Sequence, residues 1–492
     1  MIIAILASGV AIISNVQAAT NVSGDIITDT TWTAAESPYI FTVPVVVNEG
    51  VKLTIEPGVT VNIGAYYLQI NGTLQAKGTS SSSILFSSEG TTYATQINFT
   101  PTSLDWNETA GTGCIIVNSE LTASIAINDA SPKINANKIS DNTASTTDTN
   151  IVISVNGGSA IISNNRLNGA VEVKNGGSPK ISGNTITGGM NLYQGAPEIS
   201  DNDISGGTGN DVISITHESA ATITGNSITG KSIGVAFNMH NNGYSNNAYS
   251  ATIQNNTIKN CPTGIGIGEG QGTILLSGNR IFGSSIGIKV ANVSVTINIE
   301  LNLIMNNTHG IDIGAQIAVQ KNTIYNNTIG IYYETTAASV ISYNNIMNNT
   351  EYNLKLTNSS PSTLDATYNY WGTQDVPTIN QTIYDANDNS TLGEVVYLPA
   401  LSQPNSDAPT IAGIDMTPTP TPTPSVTPTA TPTATPYQTP SHTATPTATP
   451  PVTEAGLSGI EIAVIAALII VVVIAVILVL KKNGKSRQNP IP

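Results

Sequence analysis

Few residues of this chain could hold a metal or move a proton, and several fall close together. Of four histidines, His217 and His240 lie one repeat apart, with Glu218 and Met239 next to them. Aligning Ile213-Ser-Ile-Thr-His217-Glu218 with Val235-Ala-Phe-Asn-Met239-His240 sets His217 beside Met239 and Glu218 beside His240. Imidazole, thioether and carboxylate donors suit copper or zinc. The competing reading is an exposed polar turn. The longest repeat follows with the segment Asn241–Ala251, expected to protrude and to present Tyr244 and Tyr249 to a saccharide or a protein. Asp201, Asp203 and Asp211 form one acidic group, and Asp385, Asn387, Asp388 and Asn389 another. Either could take Ca²⁺, although neither has the spacing of an EF-hand or of a glycine-rich calcium repeat. No resident cofactor is expected; Ca²⁺ and Cu are the ions these groups would accept. His309 precedes a glycine and reads as a turn residue.

The elements that must position these residues come from one motif, apolar-x-x-Asn-x-apolar. It recurs eleven times, at Asn137, Asn165, Asn184, Asn202, Asn226, Asn256, Asn279, Asn302, Asn322, Asn344 and Asn369. A spacing of roughly 20–30 residues is that of a solenoid. Gly and Asn every few residues break helices, while Ile, Val and Thr between them read as short strands. Four residues after the Asn, in every copy but the last, stands Gly, Asn or Asp, which reach positive φ cheaply and mark a bend. Five copies then open a further strand, as in Gly264-Ile-Gly-Ile267 and Gly310-Ile-Asp-Ile313. One coil is therefore strand, Asn bend, strand, Gly/Asn bend, strand and a variable loop on one edge. Stacking such coils gives an all-β, single-stranded parallel β-helix with three short strands per coil. Counting from Thr42 gives about 14 coils, a rod of about 65 Å at one strand spacing each. Ile stacks inside, and the Asn amides form a buried column bonded from coil to coil. Coil sides expose side chains, and only the end coils carry unpaired backbone.

The organisation reads as signal peptide at 1–19, N-terminal cap at 20–44, β-helix at 45–371 and C-terminal cap at 372–413. A disordered Pro/Thr-rich stalk follows at 414–456, then a transmembrane helix at 460–480 and a basic tail at 481–492. Ile462–Leu480 is an unbroken apolar run long enough to span a bilayer. Lys481, Lys482, Lys485 and Arg487 after it place the tail in the cytoplasm and all before it outside. The leader lacks a basic start, since Lys52 is the first cation. Twelve Asn-x-Ser/Thr sequons make the exterior a candidate for glycosylation. A net charge of −15 argues against nucleic acid as a partner. Cys114 and Cys261 lie about six coils apart, too far to bridge, so two buried free thiols are expected.

The repeats resemble those of the pectin-lyase-like right-handed parallel β-helix superfamily, in the NosD-like or carbohydrate-binding and sugar-hydrolysis group. Leu53-Thr-Ile-Glu-Pro-Gly-Val-Thr-Val61 resembles the opening coils of secreted members. Asn369-Tyr-Trp-Gly372, Ile383-Tyr-Asp385 and Leu398-Pro-Ala-Leu401 resemble the close of surface-exposed ones. The resemblance covers about Asn21 to Leu401 and implies lyases, glycosidases, epimerases, a copper-maturation accessory protein or non-enzymatic adhesins. It also implies that any active site lies on the outer face of the sheet made by the Gly-Ile-x-Ile strands. The outward residues there are Glu172, Asn191, Ser214, Ala236, Gly266, Lys289, Asp312 and Tyr332. They form neither a lyase-like acidic cluster with a basic residue nor a convergent carboxylate pair, and Lys289 with Asp312 reads as a surface cross-strand pair. The expectation is a monomeric, membrane-anchored surface protein in adhesion, envelope structure or polysaccharide binding, leaning away from catalysis. The alternatives are a tethered polysaccharide lyase or hydrolase and a metal-handling accessory protein.

Overall fold

A computed structural model describes residues 18–411 apart from 89–95, 141–149, 208–210, 238–247, 292–293 and 358–362. The chain divides into two units, 1–421 and 422–492, and the second lies outside the described residues. So do the expected signal peptide up to residue 17, the whole stalk, the 460–480 span and the basic tail. No helix among the described residues is long and apolar enough to cross a membrane.

The first unit is a parallel β-helix built from three parallel sheets of 15, 14 and 15 strands among the described residues. The first sheet holds the Gly-Ile strands, the second the strands before each repeat Asn, and the third the strands after it. The two apolar residues of the motif become interior columns. Ile134, Ile162, Ile181, Ile199, Ile223 and Ile253 are register partners in the second sheet. Ile139, Leu167, Ile186, Ile204, Ile228 and Ile258 are partners in the third. All are essentially inaccessible to solvent, and this continuous burial is what holds each three-residue strand in place.

The Asn column runs unbroken from Asn137 to Asn369. At every step the backbone N–H and the Nδ2 of one Asn both donate to the Oδ1 of the next. At Asn256 these distances are 3.0 and 3.1 Å, and Nδ2 also reaches the Ile223 carbonyl at 2.8 Å. The residue just before each ladder Asn has positive φ, even where it is Ala136, Leu301, Lys321, Tyr343 or Tyr368. These side chains favour other conformations; the ladder imposes the bend regardless of their type.

A second buried ladder occupies the corner between the third and first sheets near the C-terminal end. Asn307, Asn327 and Asn349 repeat the same pattern, and the column ends on Asn353. Ser284 donates its N–H into the head of this column. Loop variation falls on two corners, not one. Residues 141–150 separate a third-sheet strand from a first-sheet strand, whereas 238–247 separate first from second. The corner holding the Asn ladder is constant because its hydrogen bonds admit no insertion.

The N-terminal segment already winds as a coil, since Thr20–Val22 pairs with Tyr39–Phe41 and Thr30–Trp32 with Leu53–Ile55. Trp32 stacks on Tyr39 at 4.8 Å and closes that end with an aromatic plug. At the other end a short helix, Val376–Gln381, is capped by Asp375 and buries Ile379. The chain then returns along the third sheet, where Asn405 bonds Asn345 and the Pro409 carbonyl accepts from Thr323 Oγ1. Both free cysteines are buried, as expected.

Candidate functional site

The outer face of the first sheet presents one residue per coil in a single register column. The order is Ser154, Glu172, Asn191, Ser214, Ala236, Gly266, Lys289, Asp312, Tyr332, Lys355 and Tyr384. The eight positions expected from the sequence to face outward are consecutive members of it. The column holds them at one strand spacing, about 4.8 Å.

Its C-terminal end carries the densest chemistry. His309 opens the strand His309–Ile313 and is not a turn residue. Its Nδ1 lies 2.7 Å from Oδ1 of the buried Asp312, so the expected pairing of Asp312 with Lys289 gives way to an Asp–His pair. The imidazole stacks on Tyr332 of the next coil, 4.9 Å between centroids at 23°. The hydrogen bond to Asp312 holds the His309 pKa above its usual value; partial burial and Lys355 oppose the rise. One coil further, Lys355 Nζ lies 5.2 Å from the Tyr352 ring and 5.4 Å from the Tyr384 ring, with Glu351 at 3.1 Å. Tyr352 and Tyr384 meet at 5.2 Å. Three half-buried tyrosines, two lysines and an Asp–His pair therefore share one surface.

A second group sits nearer the N-terminus on the same face. Glu172 pairs with Lys174 at 2.5 Å and accepts from Ser154 at 2.9 Å. Tyr193 lies edge-on to His217 at 5.8 Å, and burial, then the Glu172 charge, raises its pKa. Ala236 and Gly266 leave a bare stretch between the two groups. Beyond Glu172 runs an amide column in which Asn128, Asn156 and Asn175 each donate to the Asn before, at 2.8, 3.0 and 2.6 Å, the first to Asn98.

The remaining sequence candidates divide. The expected register Ile213 to Val235 and Ile215 to Phe237 is present, but Met239, His240 and Tyr244 lie outside the described residues. His217 has positive φ, and its Nδ1 lies 3.1 Å from Thr216 Oγ1; Glu218 is exposed beside it. Tyr249 does not stand on a protruding loop. It belongs to the strand Ala248–Gln254, and its ring is buried edge-on against Phe237 at 5.6 Å, because the strand starts earlier than the loop length suggests. Asp385 is buried, and its carboxylate accepts the N–H groups of Asn387 and Val395, so it closes a turn. Asp201 lies at a ladder bend, Asp203 in a third-sheet strand and Asp211 at the start of a first-sheet strand. Among the described residues no group of three or more His, Cys, Asp or Glu side chains could hold a metal ion.

The cluster of His309, Tyr332, Tyr352, Lys355 and Tyr384 was missed by inspection of the sequence as a site. The available signal was the Gly-Ile phase, which puts Asp312 and Tyr332 in one outward column; His309 joins them through its hydrogen bond to Asp312 and its stacking on Tyr332.

Comparison with known proteins gives three kinds of likeness. The family described as "Periplasmic copper-binding protein (NosD)" matches residues 180–387, which span the ladder from Asn184 to Asn369. "Protein bark beetle" of Drosophila melanogaster is 43% identical over 70 residues, 14% of this chain. The chain spans about 2% of the length of that relative. Crystal structures of the periplasmic alginate epimerase AlgG and of a point mutant of it are 14% and 15% identical, with TM-scores of 0.35 and 0.37. Each alignment covers 65% of this chain and 77% of the epimerase.

Proposed function

We propose that this chain is a cell-surface β-helix protein that binds an extended polysaccharide along the outer face of its first sheet, without turning it over. One observation carries the reading: Tyr332, Tyr352 and Tyr384 lie on successive coils of that face, grouped around Lys355 and the His309–Asp312 pair. Aromatic faces pack against the apolar faces of sugar rings, and the lysine, imidazole and amide groups suit hydroxyls or acidic substituents. A column with one contact per coil fits a linear repeating ligand better than a compact one. The sequence adds the setting of an exterior rod on a Pro/Thr stalk, a single span at 460–480 and a cytoplasmic tail. The matched family is described as periplasmic, in agreement with an exterior rod. We read the rod as a monomer.

That description also names copper. Of the donors the sequence offers for it, Met239 and His240 lie outside the described residues, and His217 and Glu218 belong to no group of three or more His, Cys, Asp or Glu side chains among the described residues. A second reading, a tethered polysaccharide lyase or hydrolase, draws on one feature. The His309 imidazole is oriented by a buried carboxylate beside Lys355, as a general base would be. A glycan panel with simultaneous detection of new reducing ends and unsaturated products separates the two. Saturable binding without product supports the proposal, product formation replaces it with the second reading, and neither signal refutes both.

A further inference from the structure

Three neighbouring strands of the second sheet are seven residues long: Ala248–Gln254, Gln271–Ser277 and Ser294–Glu300. They pair residue for residue over their whole length. The next strand, Ala318–Gln320, covers only Asn298–Glu300. Ser294–Ile297 therefore ends this extension with an uncovered edge inside the rod, two strands of that sheet before its C-terminal end, whereas the sequence predicts unpaired backbone only at the end coils. In a parallel ladder, alternate residues turn their N–H and C=O toward opposite neighbours. The groups of Ser294–Thr296 that face away from Gln271–Thr273 have no backbone partner among the described residues.

This edge forms one wall of a groove of about 610 Å³. Ala315, Gln316 and Ile317 line it, and Val340, 53% exposed, stands on the far side. No residue lining it is charged, in a chain of net charge −15. An unpaired edge is a template for one further strand, and a neutral lining favours a neutral one.

We propose that the groove docks an extended, uncharged polypeptide segment of a partner protein, which adds as a strand to Ser294–Ile297 and seats an apolar side chain on Val340. The occupant continues the in-register extension that the coil stack leaves unfinished.

The test titrates the full-length chain into a fluorescent peptide with the sequence of Gln271–Ser277, the uncharged strand that already pairs with this segment from its other side. Two further versions carry N-methyl groups on alternate residues, each removing the donors of one peptide edge. The expected result is saturable binding of the parent, with one methylated version binding like it and the other weaker by about tenfold or more. Val340→Glu, at an exposed position, weakens the parent peptide similarly while the circular dichroism of the coil is unchanged. No saturable binding, equal behaviour of the two methylated versions, or indifference to Val340→Glu overturns the proposal. So does self-association of the chain that Val340→Glu abolishes in the absence of peptide binding, which would give the groove to a second copy.

Discussion

Asp312 Oδ1 accepts a hydrogen bond from His309 Nδ1 at 2.7 Å, and the same imidazole lies flat against Tyr332 of the following coil. The carboxylate is buried while the histidine is half exposed. The imidazole thus joins a buried carboxylate of the outward column to the tyrosine surface on which we place the ligand.

This pair predicts a pH dependence. The His309 pKa is raised in the folded protein, chiefly by Asp312. A raised folded value means that the contribution to stability is complete below the unfolded histidine value of about 6.5 and is lost as pH rises through the higher folded value. NMR titration of His309 in the intact protein and in Asp312→Asn should show the midpoint falling in the variant. An unchanged midpoint would remove Asp312 as the cause.

The Asn ladder predicts a large local cost. Asn256→Ala removes the acceptor for the Asn226 backbone N–H and Nδ2 and the Nδ2 donor to Asn279 and to the Ile223 carbonyl, all without access to water. The expected loss is about 2–4 kcal/mol. Arg280→Ala, exposed on the third sheet, should stay within about 0.5 kcal/mol. Because a solenoid need not unfold in one step, amide hydrogen exchange across the coils flanking position 256 is the appropriate readout.

The thiols should be inert. Burial pushes Cys114 and Cys261 each up to about 11, and the thiolate is the reactive form. Iodoacetamide at neutral pH should label neither in the folded protein and both after denaturation. Labelling of the folded chain would show that the coil opens at that position.

Much of this fold was readable in the sequence because stacking repeats each environment along the chain. Asn256 and Asn279 meet the same surroundings, so one motif reports eleven positions, and the phase of Gly310-Ile-Asp-Ile313 gave the outward column directly. The second ladder was harder to see. It starts from Cys261 and Ser284 at the equivalent corner before Asn307 takes over, so no single residue type marks it. The left-handed bends at Leu301, Lys321 and Tyr343 carry no signature, since the conformation comes from the neighbouring ladder and not from the residue. Tyr249 misled because strand length there is set by pairing with Gln271–Ser277, a long-range contact. The His309 cluster rests on contacts between coils, the stacking of His309 on Tyr332 above all, which no local motif announces.

Polysaccharide binding on the outer face of the first sheet is tested by a glycan panel with the intact chain beside Tyr332→Ala and Lys355→Ala, both on that face. The expected result is saturable binding to an extended polysaccharide, no product, and affinity reduced about tenfold or more in each variant. Binding that both variants retain in full, or product formed by the intact chain and lost in His309→Ala, would contradict it.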